Sequence, residues 1–253
     1  MQLYDYPEYY EVAVSYRDLE KEADFLTSAI ERYSAIPVQR VFEIASGPAP
    51  HAEALVKRGF QYMGLDCNRN MLDYAIYKWR HLRPQPLFFE ADMIDFAHLP
   101  QADFAFVMLG SLYLNTVAEM TNHFNCMARV LKPGSLYFLD WCVQFGDRMK
   151  YATSCLTSEI NGISVESRFN TRLIDPAGQM YEEVWTVNID DHGRHQKFEM
   201  VERNRAIFPQ EFLLFIESRT DFEFVGWWQE WDFDKPIDRS SETTRPIVLV
   251  RRK

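Results

Sequence analysis

The sequence predicts an α/β fold: a Rossmann-like, largely parallel sheet completed by an antiparallel terminal hairpin, with an antiparallel β insertion after the fifth strand. Three observations carry this. Up to about residue 141, short apolar runs alternate with stretches whose apolar residues recur at steps of three and four, the pattern of βαβ crossovers under a sheet covered on both faces. From residue 142 the period drops to two, as in hairpins with one wet face. The last two strand-like runs have no helical pattern between them, so they must pair antiparallel.

Leu19, Ala23, Leu26, Ile30 and Tyr33 share one face of a helix over 17–33, stopped by Pro37. Residues 38–45 read as the first strand, ending at Ser46-Gly47. A helix over 50–58 follows, with Pro50 in its first turn and Gly59 beyond its end. Residues 62–65 form a second strand closed by Asp66, and Leu72, Ala75, Ile76 and Trp79 stripe the next helix, broken by Pro84 and Pro86. Runs at 87–90 and 104–109 are strands three and four. Val117, Met120, Phe124, Met127 and Leu131 trace a long helix ended by Lys132-Pro133-Gly134, and 136–140 is the fifth strand. Three alternating runs then cover 163–173, 181–189 and a stretch reaching about Ile207, turned at Asp175-Pro176-Ala177-Gly178 and Asp191-His192-Gly193. Pro209 opens a short helix, and 222–228 and 247–250 form the terminal hairpin.

The chain has 253 residues, 47% hydrophobic and 25% charged, with a net charge of −10. That suffices for a large core, and the acidity counts against nucleic acid as the main substrate. No apolar run approaches the roughly 20 residues of a membrane span, and residues 1–10 lack the basic and apolar blocks of a signal peptide. We therefore expect a cytoplasmic protein, with no membrane partner, as a monomer or a homodimer. Cys67, Cys126, Cys142 and Cys155 lie far apart with no paired spacing, so free thiols are expected rather than disulfides or a metal site.

In open α/β sheets, ligands bind outside the carboxyl ends of the strands. The first strand ends in Glu43-Ile44-Ala45-Ser46-Gly47-Pro48-Ala49-Pro50-His51, whose small residues admit a ligand to the backbone. The second ends at Asp66, a carboxylate placed to accept from ribose hydroxyls. The third leads to Ala91-Asp92-Met93 and the fourth to Gly110-Ser111. A dinucleotide or S-adenosylmethionine fits such a set. The dinucleotide fingerprint requires glycines where this chain has Ala45, Gly47 and Pro50, and Pro50 fills the space of close helix–strand packing.

These motifs resemble the class I S-adenosylmethionine-dependent methyltransferases. The resemblance covers roughly residues 38–141 and the terminal hairpin. It rests on Glu43-Ile44-Ala45-Ser46-Gly47, Gly64-Leu65-Asp66 with Asn70-Met71-Leu72, Ala91-Asp92-Met93-Ile94-Asp95-Phe96, residues 103–109, and Leu131-Lys132-Pro133-Gly134-Ser135. Within the family, the Asp-Met-x-Asp-Phe string and the insertion look like small-molecule N-methyltransferases, particularly those acting on nucleotide-linked amino sugars, with glycine N-methyltransferase more distant. The resemblance implies a seven-stranded methyltransferase sheet and a single domain: a helical lid at 1–36, a cofactor-binding core at 38–141, the insertion at 142–205, and a C-terminal helix and hairpin at 206–253.

It also implies roles. Ala45, Ser46 and Gly47 line the methionine portion of S-adenosylmethionine, with Glu43 positioning the loop. Asp66 holds the ribose, with Cys67 beside it. Asp92 accepts from the adenine amino group while the Met93 N–H reads a ring nitrogen, and the Leu109 carbonyl accepts from the ligand's ammonium. Ala49 stands at the family's usual third glycine.

Plainer roles compete. Asp66 as an Asx turn, Asp92 as a solvated loop acid and the N-terminal tyrosines as an aromatic flap on the sheet all need no ligand. Tyr10, Tyr16 and Tyr113 are the candidate catalytic residues. Asp140, Trp141 and Tyr113 are expected to border the acceptor, with the 142–205 sheet as its outer wall; Trp185, Arg203 and Arg205 are candidates there, although a cross-strand aromatic and solvated basic residues are the readier reading. His51, His192 and His195 read as helix-start and turn residues. The function expected is methyl transfer to a small-molecule acceptor, foremost at an amine nitrogen. The alternatives are an NAD(P)-dependent oxidoreductase and a non-catalytic S-adenosylmethionine-binding protein.

Overall fold

The computed structural model describes residues 2–96, 99–146, 153–238, 243 and 245–253. After a 3-10 turn at Leu3–Asp5 come α1 (Pro7–Ala13), α2 (Leu19–Tyr33), β1 (Arg40–Ile44), α3 (Ala52–Lys57), β2 (Gln61–Asp66), α4 (Arg69–Trp79) and β3 (Leu87–Glu90). Next are β4 (Ala102–Val107), α5 (Val117–Val130), β5 (Leu131–Asp140), β6 (Thr153–Ile160), β7 (Ile163–Asp175), β8 (Met180–Asp191) and β9 (Arg194–Arg205). The chain closes with α6 (Pro209–Arg219), β10 (Phe222–Gln229) and β11 (Pro246–Arg252).

β1 pairs in parallel with β2 on one side and β4 on the other. β11 enters antiparallel between β5 and β10, completing a 7-stranded sheet in the order β3-β2-β1-β4-β5-β11-β10. Strand order reverses between β1 and β4, which opens a crevice at their carboxyl ends. Alternation along the strands splits the core. Phe42, Ile44, Ala105, Val107, Tyr137 and Leu139 pack on the α5–α6 side. Val41, Phe104, Phe106, Leu136 and Phe138 pack on the α2–α3–α4 side. Local sequence starts the helices where the sheet needs them: Asn68 Oδ1 accepts from Met71 N (3.1 Å), and Thr116 and Glu119 exchange reciprocal capping bonds.

The insertion is a separate 4-stranded antiparallel sheet, β6-β7-β8-β9, one strand more than the three alternating runs predict. β6 is an exposed edge strand, so burial imposes little hydrophobic pattern on it. Residues 147–152, at the start of the expected 142–205 insertion, lie outside the described residues. β5 begins at Leu131, directly from α5, because Leu131 is already extended (φ −81°, ψ 134°). The N-terminal segment packs on the four-stranded sheet: Leu3, Val12 and Ala13 form one cluster with Val165, Val187, Ile189, Phe198 and Met200. No helix among the described residues is long and apolar enough to cross a membrane.

Candidate active site

The loop after β1 is sharply folded. Ala45, Gly47 and Ala49 all adopt the left-handed conformation, with φ of 52°, 52° and 54°. For alanine this costs on the order of 1–2 kcal/mol per residue, so the surroundings must hold it. They do so from below. Ser46 N donates to Leu65 O (2.9 Å), and Trp79 Nε1 donates to Pro48 O (3.0 Å). The space beside Gly47 is open, with nothing within 4 Å of a Cβ placed there. Ser46 turns the other way. Its buried hydroxyl sits where a Cβ on Gly64 would come within 2.7 Å, and it has no partner among the described residues. The loop therefore offers backbone at 45 and 47, and the Ser46 side chain stays beneath it.

Asp66 reaches back to this loop. Its Oδ2 accepts from Gly47 N (2.7 Å) and its Oδ1 from Asn68 N (2.8 Å). The Asx turn is present, but Asn68, not Asp66, caps α4. Burial raises the Asp66 carboxyl pKa above its ordinary value, against the N–H bonds that lower it. Cys67 follows on the exposed turn. Asp92 is exposed at the neighbouring strand end, its Oδ1 accepting from Ile94 N (2.8 Å), and among the described residues its Oδ2 has no partner. Met93 is fixed by a residue that the sequence does not flag. His123 on α5 donates from Nδ1 to Met93 O (2.8 Å), and its Nε2 accepts from Tyr137 Oη (3.0 Å). Burial lowers the His123 pKa to about 4, so the ring is neutral.

Leu109 and Gly110 are left-handed (φ 58° and 68°). Asp140 imposes this turn: Oδ2 accepts from Leu109 N (2.7 Å), and its main-chain carbonyl accepts from Gly110 N (2.9 Å). Asp140 is 0% exposed and paired with Arg245 through 2.8 and 2.6 Å contacts, so it braces the rim instead of bordering the acceptor space as expected.

A second network joins the N-terminal region to the loop. Glu43 Oε1 meets His51 Nδ1 (2.8 Å), Glu43 Oε2 accepts from the Tyr62 hydroxyl, and His51 Nε2 meets Glu22 Oε2 (2.9 Å). Arg17 closes on Glu22 at 2.5 Å. Burial works against charge on His51, but the Glu43 carboxylate and the hydrogen bonds that His51 makes to both glutamates outweigh it and raise its pKa. His51 is thus a buried clasp between carboxylates and does not cap α3 with its side chain. His192 and His195 sit exposed at the β8–β9 turn.

Beyond Leu109 a cavity of about 510 Å³ opens between the rim of the large sheet, the N-terminal tyrosines and the inner face of the four-stranded sheet. Tyr10, Tyr16, Tyr113, Trp141, Trp185 and Arg205 all line it. Burial pushes the Tyr10 hydroxyl up to about 12. Burial, beside the Glu202 carboxylate, raises the Tyr113 pKa well above the ordinary value. Arg203 lies on the opposite face, bonded to Glu182 (3.3 Å), and is not part of the cavity.

The parallel strands, the left-handed loop after β1 and the acids ending β2 and β3 coincide with a known family model. Its description, a methyltransferase domain, matches residues 41–134. None of the curated proteins searched matches the chain. Solved structures with this methyltransferase fold extend the likeness to nearly the whole chain. One is an S-adenosylmethionine-dependent methyltransferase from Clostridium acetobutylicum, 15% identical, with a TM-score of 0.78, covering 96% of this chain and 95% of that one. Another is an amino pentose methyltransferase from Micromonospora echinaspora involved in calicheamicin biosynthesis, solved with S-adenosylmethionine bound. It is 17% identical with a TM-score of 0.75, covering 97% of each chain. A third is a sugar N-methyltransferase from a Streptoalloteichus species, 20% identical with a TM-score of 0.69, covering 94% of this chain and 89% of that one. At these identities the likeness establishes the methyltransferase fold.

Proposed function

We propose that the protein transfers a methyl group from S-adenosylmethionine to a small-molecule acceptor, at an amine nitrogen. The observation that carries this is the Gly47–Asp66 contact. It joins the open, left-handed loop after β1 to the acid ending β2, beside Asp92 and next to the cavity that begins at Leu109.

The residues present fit the donor. Open space beside Gly47 admits it to the backbone, Asp66 keeps acceptor capacity for two hydroxyls, and the Asp92 oxygen without a partner suits an exocyclic amino group. The left-handed Leu109–Gly110 turn, held by Asp140, presents the Leu109 carbonyl to the donor's ammonium. A dinucleotide is not favoured, since Pro50 stands at its third glycine. When bound, the donor supplies an activated methyl group that a nitrogen lone pair takes as the carbon–sulfur bond breaks toward sulfur. The chain's part is alignment and exclusion of water. Tyr10, Tyr16 and Tyr113 offer hydroxyls to the nitrogen, and the N-terminal segment, held on the four-stranded sheet, closes the cavity from the side. An amine that arrives neutral needs no strong base, in keeping with a cavity whose tyrosine hydroxyls are hard to ionise.

Calorimetric titration with S-adenosylmethionine, S-adenosylhomocysteine and NADH tests the donor assignment, and release of S-adenosylhomocysteine over a panel of amines, amino sugars and phenols tests the acceptor. Binding of the two adenosyl ligands with turnover of amines is expected. Binding of NADH alone sinks the donor assignment, and turnover of phenols alone sinks the amine.

A further inference from the structure

The proposed donor space is framed by two turns from different strands, and one side chain lies between the groups that brace them. The turn after β1 offers backbone at Ala45 and Gly47, and the turn after β4 offers the Leu109 carbonyl. Arg245, just before β11, meets the two carboxylate oxygens of Asp140 through Nε (2.8 Å) and Nη2 (2.6 Å). Asp140 Oδ2 also accepts from Leu109 N (2.7 Å). On its other side, Arg245 Nη2 stands within ion-pair reach of Glu22 Oε1, at 3.7 Å. Glu22 continues through His51 (2.9 Å) to Glu43 (2.8 Å) in β1, two residues before Ala45. An unbroken polar chain therefore runs from Leu109 through Asp140, Arg245, Glu22 and His51 to Glu43.

This chain is buried. Asp140 and His51 have no exposed surface, and Glu43 and Glu22 have almost none. A buried ion pair adds little stability over an apolar filling of the same volume. What a two-point guanidinium contact does fix is distance and direction. Direction is what this rim requires. Leu109 and Trp141 are both left-handed, with φ of 58° and 60°, a conformation that persists only where the surroundings hold it. Asp140 holds Leu109, and the carbonyl of Pro246, next to Arg245, accepts from Trp141 N (2.8 Å). The guanidinium is itself seated from behind. It lies 4.7 Å from the centroid of the Trp231 ring, which Phe25 of α2 meets edge-on at 5.1 Å.

We infer that Arg245 is a positioning residue for methyl transfer, holding the Leu109 turn and the loop after β1 at the separation at which both bind one donor molecule. This rests on the methyl-transfer reading and adds to it a residue that acts through Asp140 and Glu22. Without the guanidinium, the two turns move independently, and the donor must order them as it binds.

The test compares the unaltered full chain with Arg245→Met, Arg245→Lys and Arg251→Met. The last removes an ion pair to Glu223 at the far end of β11 and serves as the control for lost stability alone. Calorimetry with S-adenosylhomocysteine, well below each Tm, reads the affinity of the folded protein. Hydrogen exchange without ligand reads the amides of Ser46, Gly47, Leu109 and Gly110. Arg245→Met is expected to weaken S-adenosylhomocysteine about tenfold or more and to speed exchange at both turns. Arg245→Lys, which restores the charge without the two-point contact, is expected to recover part of this, leaving a loss of about threefold. It decides the matter if the methionine variant does not fold. Arg251→Met is expected to lower Tm and leave affinity and these four amides unchanged. Unchanged affinity in the Arg245 variants, faster exchange confined to one turn, or an equal loss in Arg251→Met overturns the inference. Failure of the methyl-transfer reading looks different: S-adenosylhomocysteine then does not bind the unaltered protein, while exchange still reports whether Arg245 holds both turns.

Discussion

Asp66 joins two tasks in one carboxylate, since it fixes the loop through Gly47 N and faces the space proposed for the ribose. A raised pKa means the group favours the folded state in its protonated form, so near neutrality its charge serves binding at some cost to the fold. Asp66→Asn is therefore expected to weaken S-adenosylhomocysteine about 10- to 100-fold by calorimetry, the roughly 1.5–3 kcal/mol of a charge-assisted bond, with Tm shifting only a few degrees. An unchanged Kd removes Asp66 from the site. Tyr16, which lines the cavity yet is 54% exposed, is expected to add one hydrogen bond to the acceptor. Tyr16→Phe should then lower turnover about fivefold, the worth of ~1 kcal/mol, and unaltered turnover ends its role. Residues of this kind are legible in sequence because each stands beside a strand end and a small-residue loop. His51, His123 and Asp140 are not, because their partners lie far along the chain: Glu22 for His51, Met93 for His123 and Arg245 for Asp140. A histidine on an apolar helix face carries no mark of the carbonyl it will meet.

Between elements, the Arg17–Glu22–His51–Glu43 chain ties α2, the start of α3 and β1 into one clasp behind the loop. Burial opposes ionisation of Glu22, but hydrogen bonds from His51 and Arg17 outweigh it and hold its pKa at about 2, below the ordinary 4.5. That lowered value contributes stability above pH 4.5, lost as pH falls toward 2. The raised value of His51 contributes stability below pH 6.5, lost as pH rises through its folded pKa. Both act together between pH 4.5 and 6.5. Thermal melts across pH are expected to separate the unaltered protein from Glu22→Gln most in this window, with the gap closing toward pH 2. A gap independent of pH would show that the clasp does not work through charge. Element patterns were legible wherever both faces are buried or one face alternates against water, as in β1, β4 and β8. β6 escaped because an edge strand satisfies its backbone on one side and leaves most side chains of Ser154–Ile160 exposed.

At the scale of the molecule, the proposed donor cradle belongs to the seven-stranded sheet and the proposed acceptor wall to the four-stranded one. The N-terminal segment bridges them, since Tyr10 faces the cavity while Leu3, Val12 and Ala13 pack on the smaller sheet. A ligand filling the cradle acts only on the folded state, so it must shift global unfolding by mass action. At 100 times its Kd, S-adenosylhomocysteine stabilises by about 2.7 kcal/mol, and each kcal/mol moves Tm by roughly 2–4 °C in a domain of this size. The expected rise is about 5–11 °C. NADH at the same concentration should give none, because Pro50 removes the close helix–strand approach a pyrophosphate loop needs. Hydrogen exchange at saturation should localise the gain, with slower exchange at Gly47, Leu109 and the α1 amides and little change on the outer strands β3 and β10. A melt raised equally by NADH, or protection confined to those outer strands, would place the ligand elsewhere and detach the cavity beyond Leu109 from any methyl donor.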